Sequence, residues 1–255
     1  YMVGYSLYNG YGMEKNYTEA FKIFKELSNN GDIDAKYYLA RMYYFSEGIT
    51  ENNEIAFQLF NDVYNNNQDK DAKYFIGEMK YLGLGTNQDY KGAFEIFNSL
   101  CAEDRRAEQK IATMYYNGNY VEKNYHKAFE CFSKLANDGN DIDGTDNYML
   151  SIMYYDGLGT DRETEKSFEY MLKAAEKGNS DAQFWVAYKY FHGEGTQQSD
   201  EETEKWLIKS VKQNNAMAQW LLGILYLEGK ENGINIKEDK KYISLLKGNN
   251  YGRVI

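Results

Sequence analysis

The chain has 255 residues, 43% hydrophobic and 27% charged, a globular balance with enough length for a large core. A formal net charge of −10 repels phosphate backbones and argues against a nucleic-acid partner, and no apolar run is long enough to suggest a membrane span. Proline is absent, so helix ends must rely on Gly, Asn or Asp.

The predicted elements follow one period of about 36 residues. With a small residue at the opening of a helix as offset zero, the registers start at Ala35, Ala72, Ala107, Asp146, Ala182 and Ala218. Eleven residues later stand Ser46, Gly83, Gly118, Gly157, Gly193 and Gly229, and Gly10 holds that place in a truncated first unit. Self-similarity at this period signals stacked supersecondary units whose cores form only between neighbours. The predicted units are 1–31 (partial), 32–67, 68–104, 105–142, 143–178, 179–214 and 215–249, one solenoid over 1–255, with 250–255 starting a further unit. Tyr1 falls inside a repeat, so the chain is expected to be a piece of a longer protein.

The first helix of each unit, A, is apolar at offset four (Leu39, Ile76, Ile111, Leu150, Val186, Leu222) and small at offset five (Ala40, Gly77, Ala112, Ser151, Ala187, Gly223). Offset seven is Met in Met42, Met79, Met114 and Met153, then Lys189 and Leu225; offset eight is Tyr in Tyr43, Tyr115, Tyr154, Tyr190 and Tyr226, with Lys80 the exception. Offsets zero, four, seven and eight share one face of a 3.6-residue helix, and the small side chain at five allows a neighbouring helix to approach closely. Glycine turns such as Gly83-Leu84-Gly85 then end the helix. A phosphate-binding role for them is disfavoured, because they follow a helix rather than a strand and recur.

The second helix, B, begins near Tyr17, Glu54, Tyr90, Tyr125, Glu165 and Glu201. Its core marks are Ala20-Phe21 with Phe24, Ala56-Phe57 with Phe60, Ala93-Phe94 with Phe97, Ala128-Phe129 with Phe132, and Ser167-Phe168 with Met171. The sixth unit departs, with Thr203-Glu204 in that place and Trp206-Leu207 carrying the packing. Asn137–Asp146 lengthens one join; its acids fit no calcium-loop register, so a flexible insertion is expected. Lys230–Lys240 lengthens the last turn. Cys101 and Cys131 fall at apolar helical positions and are expected to be buried free thiols, which leans toward a reducing compartment such as the cytoplasm.

The pattern A-x-x-x-[LI]-[GA]-x-M-Y, then Gly at offset eleven, then Ala-Phe in the next helix and a polar turn, resembles the Sel1-like repeat family, relatives of the tetratricopeptide repeats. Ala72–Gly85, Ala182–Gly195 and Met171–Ala182 carry it most clearly; Ser46, Lys80, Lys110 and Asp146 depart from it. The resemblance implies an all-α, right-handed solenoid of stacked antiparallel helix pairs, about seven repeats long, whose members act mostly as adaptors and scaffolds.

By analogy with helix-pair solenoids, offsets two, six and nine of the A helices face a concave groove. There stand Tyr37, Arg41 and Tyr44; Tyr74, Glu78 and Tyr81; Tyr116; Tyr148 and Tyr155; Phe184, Tyr188 and Phe191; and Trp220. Rigid aromatic surface suits protein recognition, and the same rings also suit packing between adjacent A helices. The expected role is a non-enzymatic scaffold or adaptor for a protein or peptide partner. The alternative is a spacer that fixes flanking domains. No cofactor or metal is expected: His126 and His192 lie far apart along the repeats, and no Cys/His spacing, nucleophile elbow or phosphate loop is present.

Overall fold

A computed structural model describes residues 1–232, with side chains through Tyr226. Apart from the opening of Lys230–Lys240, which falls in the last helix, that segment and the tail Asn250–Ile255 lie outside the described residues. The described residues form 13 helices and no strand, the all-α architecture of a repeat solenoid.

The chain divides into two compact units, Tyr1–Lys123 and Asn124–Ile255. The first contains α1 (Met2–Asn9), α2 (Tyr17–Asn29), α3 (Ile33–Phe45), α4 (Asn53–Asn67), α5 (Lys70–Leu82), α6 (Tyr90–Leu100) and α7 (Arg105–Asn117). The second contains α8 (Tyr125–Asn137), α9 (Thr145–Asp156), α10 (Thr164–Glu176), α11 (Ser180–His192), α12 (Asp200–Lys212) and α13 (Ala216–Asn232). Odd-numbered helices are A helices and even-numbered ones are B helices. Within each unit, consecutive helices pack against each other.

Helix ends use the chemistry left by the missing proline. Asn16, Asp32, Asn52, Asp69, Asp89 and Asn124 accept a hydrogen bond from the backbone N–H three residues on. Gly10, Gly83, Gly118, Gly157 and Gly193 close A helices in the left-handed conformation. Ser46 does the same with φ 57°, so its departure from glycine leaves the turn intact. The helix at offset eleven of the last repeat does not stop: α13 runs through Gly229 to Asn232.

The core follows the repeat. Every offset-zero residue from Ala35 to Ala218 is fully buried, as are the four offset-seven methionines. In the B helices the buried pair is Ala with the second Phe: Ala20 and Phe24, Ala56 and Phe60, Ala93 and Phe97, Ala128 and Phe132 are all at 0% exposure. The first Phe of each motif is only half-buried, because it meets the offset-eight Tyr of the next A helix. Phe21–Tyr43, Phe94–Tyr115, Phe129–Tyr154 and Phe168–Tyr190 all meet edge to face, at interplanar angles of 86°, 90°, 88° and 86°.

Two sequence departures break this ring pair, and each is repaired. Lys80, in place of the Tyr, forms an ion pair with Asp89 at 2.8 Å. Glu204, in place of the Phe, accepts from the Tyr226 hydroxyl at 3.4 Å. Ser167 is a third departure, and it is not repaired. It occupies the alanine position of the B motif at 0% exposure, and its Oγ has no hydrogen-bond partner among the described residues. Replacing Ser167 with Ala is expected to raise the unfolding free energy by about 1 kcal/mol, since it removes an unsatisfied buried hydroxyl at constant shape. Urea titration checks this; a loss of stability would mean that the hydroxyl is paired.

The insertion Asn137–Asp146 is tied down rather than loose. Asp141 is 1% exposed and accepts from the backbone N–H groups of Asp146 (3.3 Å) and Asn147 (3.2 Å) and from the Asn147 side chain, while Lys177 stands 3.3 Å from the same carboxylate. Gly144, at the N-cap of α9, has no side chain to cap with, so Asp141 caps the helix from inside the loop. The cysteines are free as expected but half-buried rather than buried. Cys101 is the C-cap of α6, where Sγ faces the Asn98 carbonyl at 3.2 Å.

Candidate partner-binding face

The A helices of the first unit place Tyr37, Arg41 and Tyr44 on α3 and Tyr74, Glu78 and Tyr81 on α5. The offset-two rings turn inward onto the buried B-helix phenylalanines. Tyr37 meets Phe60 at 6.0 Å, and Tyr74, 6% exposed, meets Phe97 at 5.7 Å. Arg106 covers Tyr74 with its guanidinium 4.4 Å from the ring centre and is held by Asp71 and Asp104.

Offsets six and nine form a polar ladder between neighbouring A helices. Glu78 pairs with Lys110 at 2.9 Å, which accounts for a lysine at an offset that is apolar elsewhere. Tyr44 faces Glu78; burial, and then that carboxylate, hold its phenol above the ordinary range. A further rule governs the offset-nine tyrosines. Where offset twelve of the next repeat carries a polar acceptor, the tyrosine turns to it: Tyr8 donates to Glu47 and Tyr81 to Asn119 (3.0 Å), and Glu194 raises the phenol of Tyr155 above its ordinary range. Gly83-Leu84-Gly85 and Gly157-Leu158-Gly159 have Leu there and offer no such acceptor. Tyr116 is half-buried.

These buried phenols make stability sensitive to alkali. Burial is the first cause of the raised pKa of Tyr8, Tyr37, Tyr44 and Tyr74, and Tyr37 is pushed up to about 12. A phenol whose folded pKa is raised contributes stability that is complete below its unfolded value, about 10, and is lost as pH rises through the folded value. Unfolding free energy is therefore expected to fall between about pH 10 and 12, by at least about 1.4 kcal/mol, the equivalent of one group shifted by one pH unit. Urea titrations across that range check it, with Tyr37→Phe reducing the slope; a flat profile would contradict it.

The second unit differs. Phe184 is 4% exposed, Tyr148 packs against the core, and Tyr155 lies between Lys189 (4.5 Å) and Arg162 (5.2 Å). Lys189 replaces the offset-seven methionine and is 4% exposed; burial holds its ammonium below the usual lysine range. The open surface carries aromatic side chains. On α11, Trp185 is 38% exposed and joins Tyr188 at 5.5 Å, and Tyr188 meets His192 in a tilted contact at 4.1 Å. Phe191 is half-buried and meets His192 edge to face at 4.9 Å. On α13, Trp220 is 51% exposed and Met217 54%. Among the described residues, the Trp185 and Trp220 indoles and the Tyr188 hydroxyl make no hydrogen bond.

The offset rule passes over Trp185, which stands at offset three. Its signal is the divergence of that column, which holds Tyr38, Phe75, Lys110, Met149, Trp185 and Leu221. Residues 185, 188 and 192 share a helix face by their i, i+3, i+7 spacing. Away from this face, the glycine turn after α5 borders an open depression of about 830 Å³ that includes Glu51 and Glu54, whose charges oppose a phosphate. Among the described residues, no cluster of His, Cys, Asp or Glu is arranged to hold a metal. No helix among them is long and apolar enough to cross a membrane.

The Sel1 repeat family model matches residues 1–32, 33–61, 70–104, 106–140, 147–179, 180–215 and 216–241. The chain belongs to the Sel1 repeat family. Proteins of this family are generally interaction scaffolds and typically non-enzymatic. Among solved structures, a Sel1 repeat protein from Oxalobacter formigenes aligns with a TM-score of 0.78 at 22% identity, covering 97% of both chains. A protective antigen of uropathogenic Escherichia coli strains, c5321, aligns with a TM-score of 0.69 at 25% identity. That match covers 95% of this chain and 51% of the antigen, so the chain spans about half of its length. No curated protein matches the chain.

Proposed function

We propose that this Sel1 repeat chain is a non-enzymatic scaffold that captures a protein or peptide partner on the A-helix face of its second unit. One observation carries the reading. Trp185, Tyr188 and Trp220 present exposed or half-buried aromatic side chains that make no hydrogen bond among the described residues, whereas most candidates of the first unit are bonded or buried within the fold. Desolvating Trp and Tyr side chains in a small patch is the usual source of hot-spot energy at interfaces, about 2 kcal/mol or more per residue. The laddered pairs of the first-unit face, such as Glu78–Lys110 and Tyr81–Asn119, support the stack itself.

The spacer reading shares the fold and gives the aromatic face no ligand. A Trp185→Ala/Tyr188→Ala double variant separates the two. On the scaffold reading it loses a partner isolated from the native source by at least about a hundredfold in affinity, two hot-spot losses taken together, with helical content unchanged. Unchanged capture would overturn this placement.

A further inference from the structure

We infer that Arg41 is the receptor for a carboxylate on a partner peptide, in a segment that carries apolar side chains on both sides of the acid. This site lies in the first unit and is independent of the aromatic face described above. Tyr37, Arg41 and Phe45 follow one another at four-residue spacing and form one stripe of α3. The guanidinium carbon lies 5.8 Å from the Tyr8 ring centre and 5.6 Å from that of Phe45, so the group is held between ring faces.

Its Nε is buried and has no acceptor among the described residues. Nor does Arg41 form an ion pair there, although the chain has 39 acidic residues against 29 Lys and Arg, so a surplus of carboxylates was available. The acids nearby in the fold have other donors. Glu47 accepts from Tyr8, Glu78 pairs with Lys110, and Asp71 pairs with Arg106. A guanidinium offers five N–H donors in a planar fork, and a buried unsatisfied donor is costly, so the site is incomplete as it stands.

A carboxylate satisfies the fork with two parallel hydrogen bonds. A net charge of −10 repels a carboxylate monoanion less than it repels a dianion such as phosphate. Phe45, 47% exposed, and Tyr37, half-buried, lie one turn to either side of Arg41 and provide apolar surface for the flanking side chains.

The test follows the Arg41 Nε–Hε resonance by ¹⁵N NMR while acetyl-Leu-Glu-Leu-amide is titrated in. The glutamate probe is expected to shift that resonance saturably. Acetyl-Leu-Gln-Leu-amide should bind at least about tenfold more weakly, the loss of one charge-assisted contact. Arg41→Lys keeps the charge and loses the fork, and Arg41→Gln loses both; each should weaken binding at least about tenfold with helical content unchanged. The Trp185→Ala/Tyr188→Ala variant should bind the probe like the parent, so failure here and failure of the aromatic-face reading are distinguishable. Equal affinity for the glutamate and glutamine probes, parental binding by Arg41→Lys, or no shift at millimolar probe would overturn the inference. So would stronger binding of acetyl-Leu-Leu free acid or of inorganic phosphate, which would assign the site to a chain terminus or to a phosphate instead.

Discussion

Gly85→Ala is expected to destabilise the first unit by at least about 3 kcal/mol, although it adds a single methyl group at a turn. Gly85 has φ +66°, where an L side chain is strained, and strain alone accounts for about 1–2 kcal/mol. Steric contact costs more than the strain does. A Cβ built there would lie 2.0 Å from the Asn53 carbonyl oxygen and 2.4 Å from its carbon, at the first turn of α4 in the preceding repeat. Backbone cannot rotate aside as a side chain can, so the joint between repeats must open. Gly159 meets the Tyr125 carbonyl at 2.2 Å and Gly195 the Thr164 carbonyl at 2.7 Å, so the same joint recurs. Gly178 is the control. Its φ is +99° and a Cβ there would meet nothing within 4 Å, so Gly178→Ala should cost only the backbone strain, about 1–2 kcal/mol. Urea denaturation of the two variants checks the difference, and equal costs would show that the close approach is not what selects glycine at offset thirteen.

Asp141→Ala is expected to destabilise the second unit by about 3–5 kcal/mol, the range for removing one partner of a buried ionic network. The carboxylate is 1% exposed and caps the two leading backbone donors of α9 beyond Thr145, orients Asn147 and faces Lys177. Its removal leaves buried N–H groups without an acceptor and a partly buried ammonium without a counter-charge. Asp141→Asn retains one carbonyl acceptor and should fall between the parent and Ala. Lys177→Ala should cost less than Asp141→Ala, since Lys177 is 32% exposed at its side chain. If Asp141→Ala unfolds like the parent in urea, the insertion is not anchored through this residue.

The stacking positions are legible in the sequence because seven recurrences of one pattern average out local noise. Offsets zero, four and seven predict the buried residues, and the Asn, Asp and Gly punctuation predicts helix ends to within about two residues. What escapes is chemistry between repeats. The Phe21–Tyr43 type of edge-to-face pair, the Glu78–Lys110 ion pair and the Tyr81–Asn119 hydrogen bond each join residues more than 20 apart, and single-helix periodicity contains no information about them. By sequence the glycine turns are helix stops; in the fold the second glycine is there because another backbone passes within contact distance. Asn137–Asp146 looks loose because its composition is that of a linker, while the burial of one aspartate among its several acids depends on the helix that follows.

The candidate face is less legible for a related reason. Helical spacing shows which residues share a stripe, and not which of them the neighbouring repeat covers. Tyr74 and Phe184 stand at the same offset as Trp220, yet they are 6% and 4% exposed against its 51%. Trp185, one residue further along, opens to solvent because the stripe of α11 turns through offsets three, six and ten.

Site-specific photo-crosslinking separates partner capture on the A-helix face from capture elsewhere. A benzophenone side chain at position 185 on α11, compared with one at the exposed Glu169 of the B helix α10, reads which face meets the partner in an extract of the native source. A discrete protein adduct is expected from position 185, lost when Tyr188 and Trp220 are also replaced by Ala, and none from position 169. Adducts from position 169 alone, or from neither position, would contradict a partner-binding role for the A-helix face of the second unit.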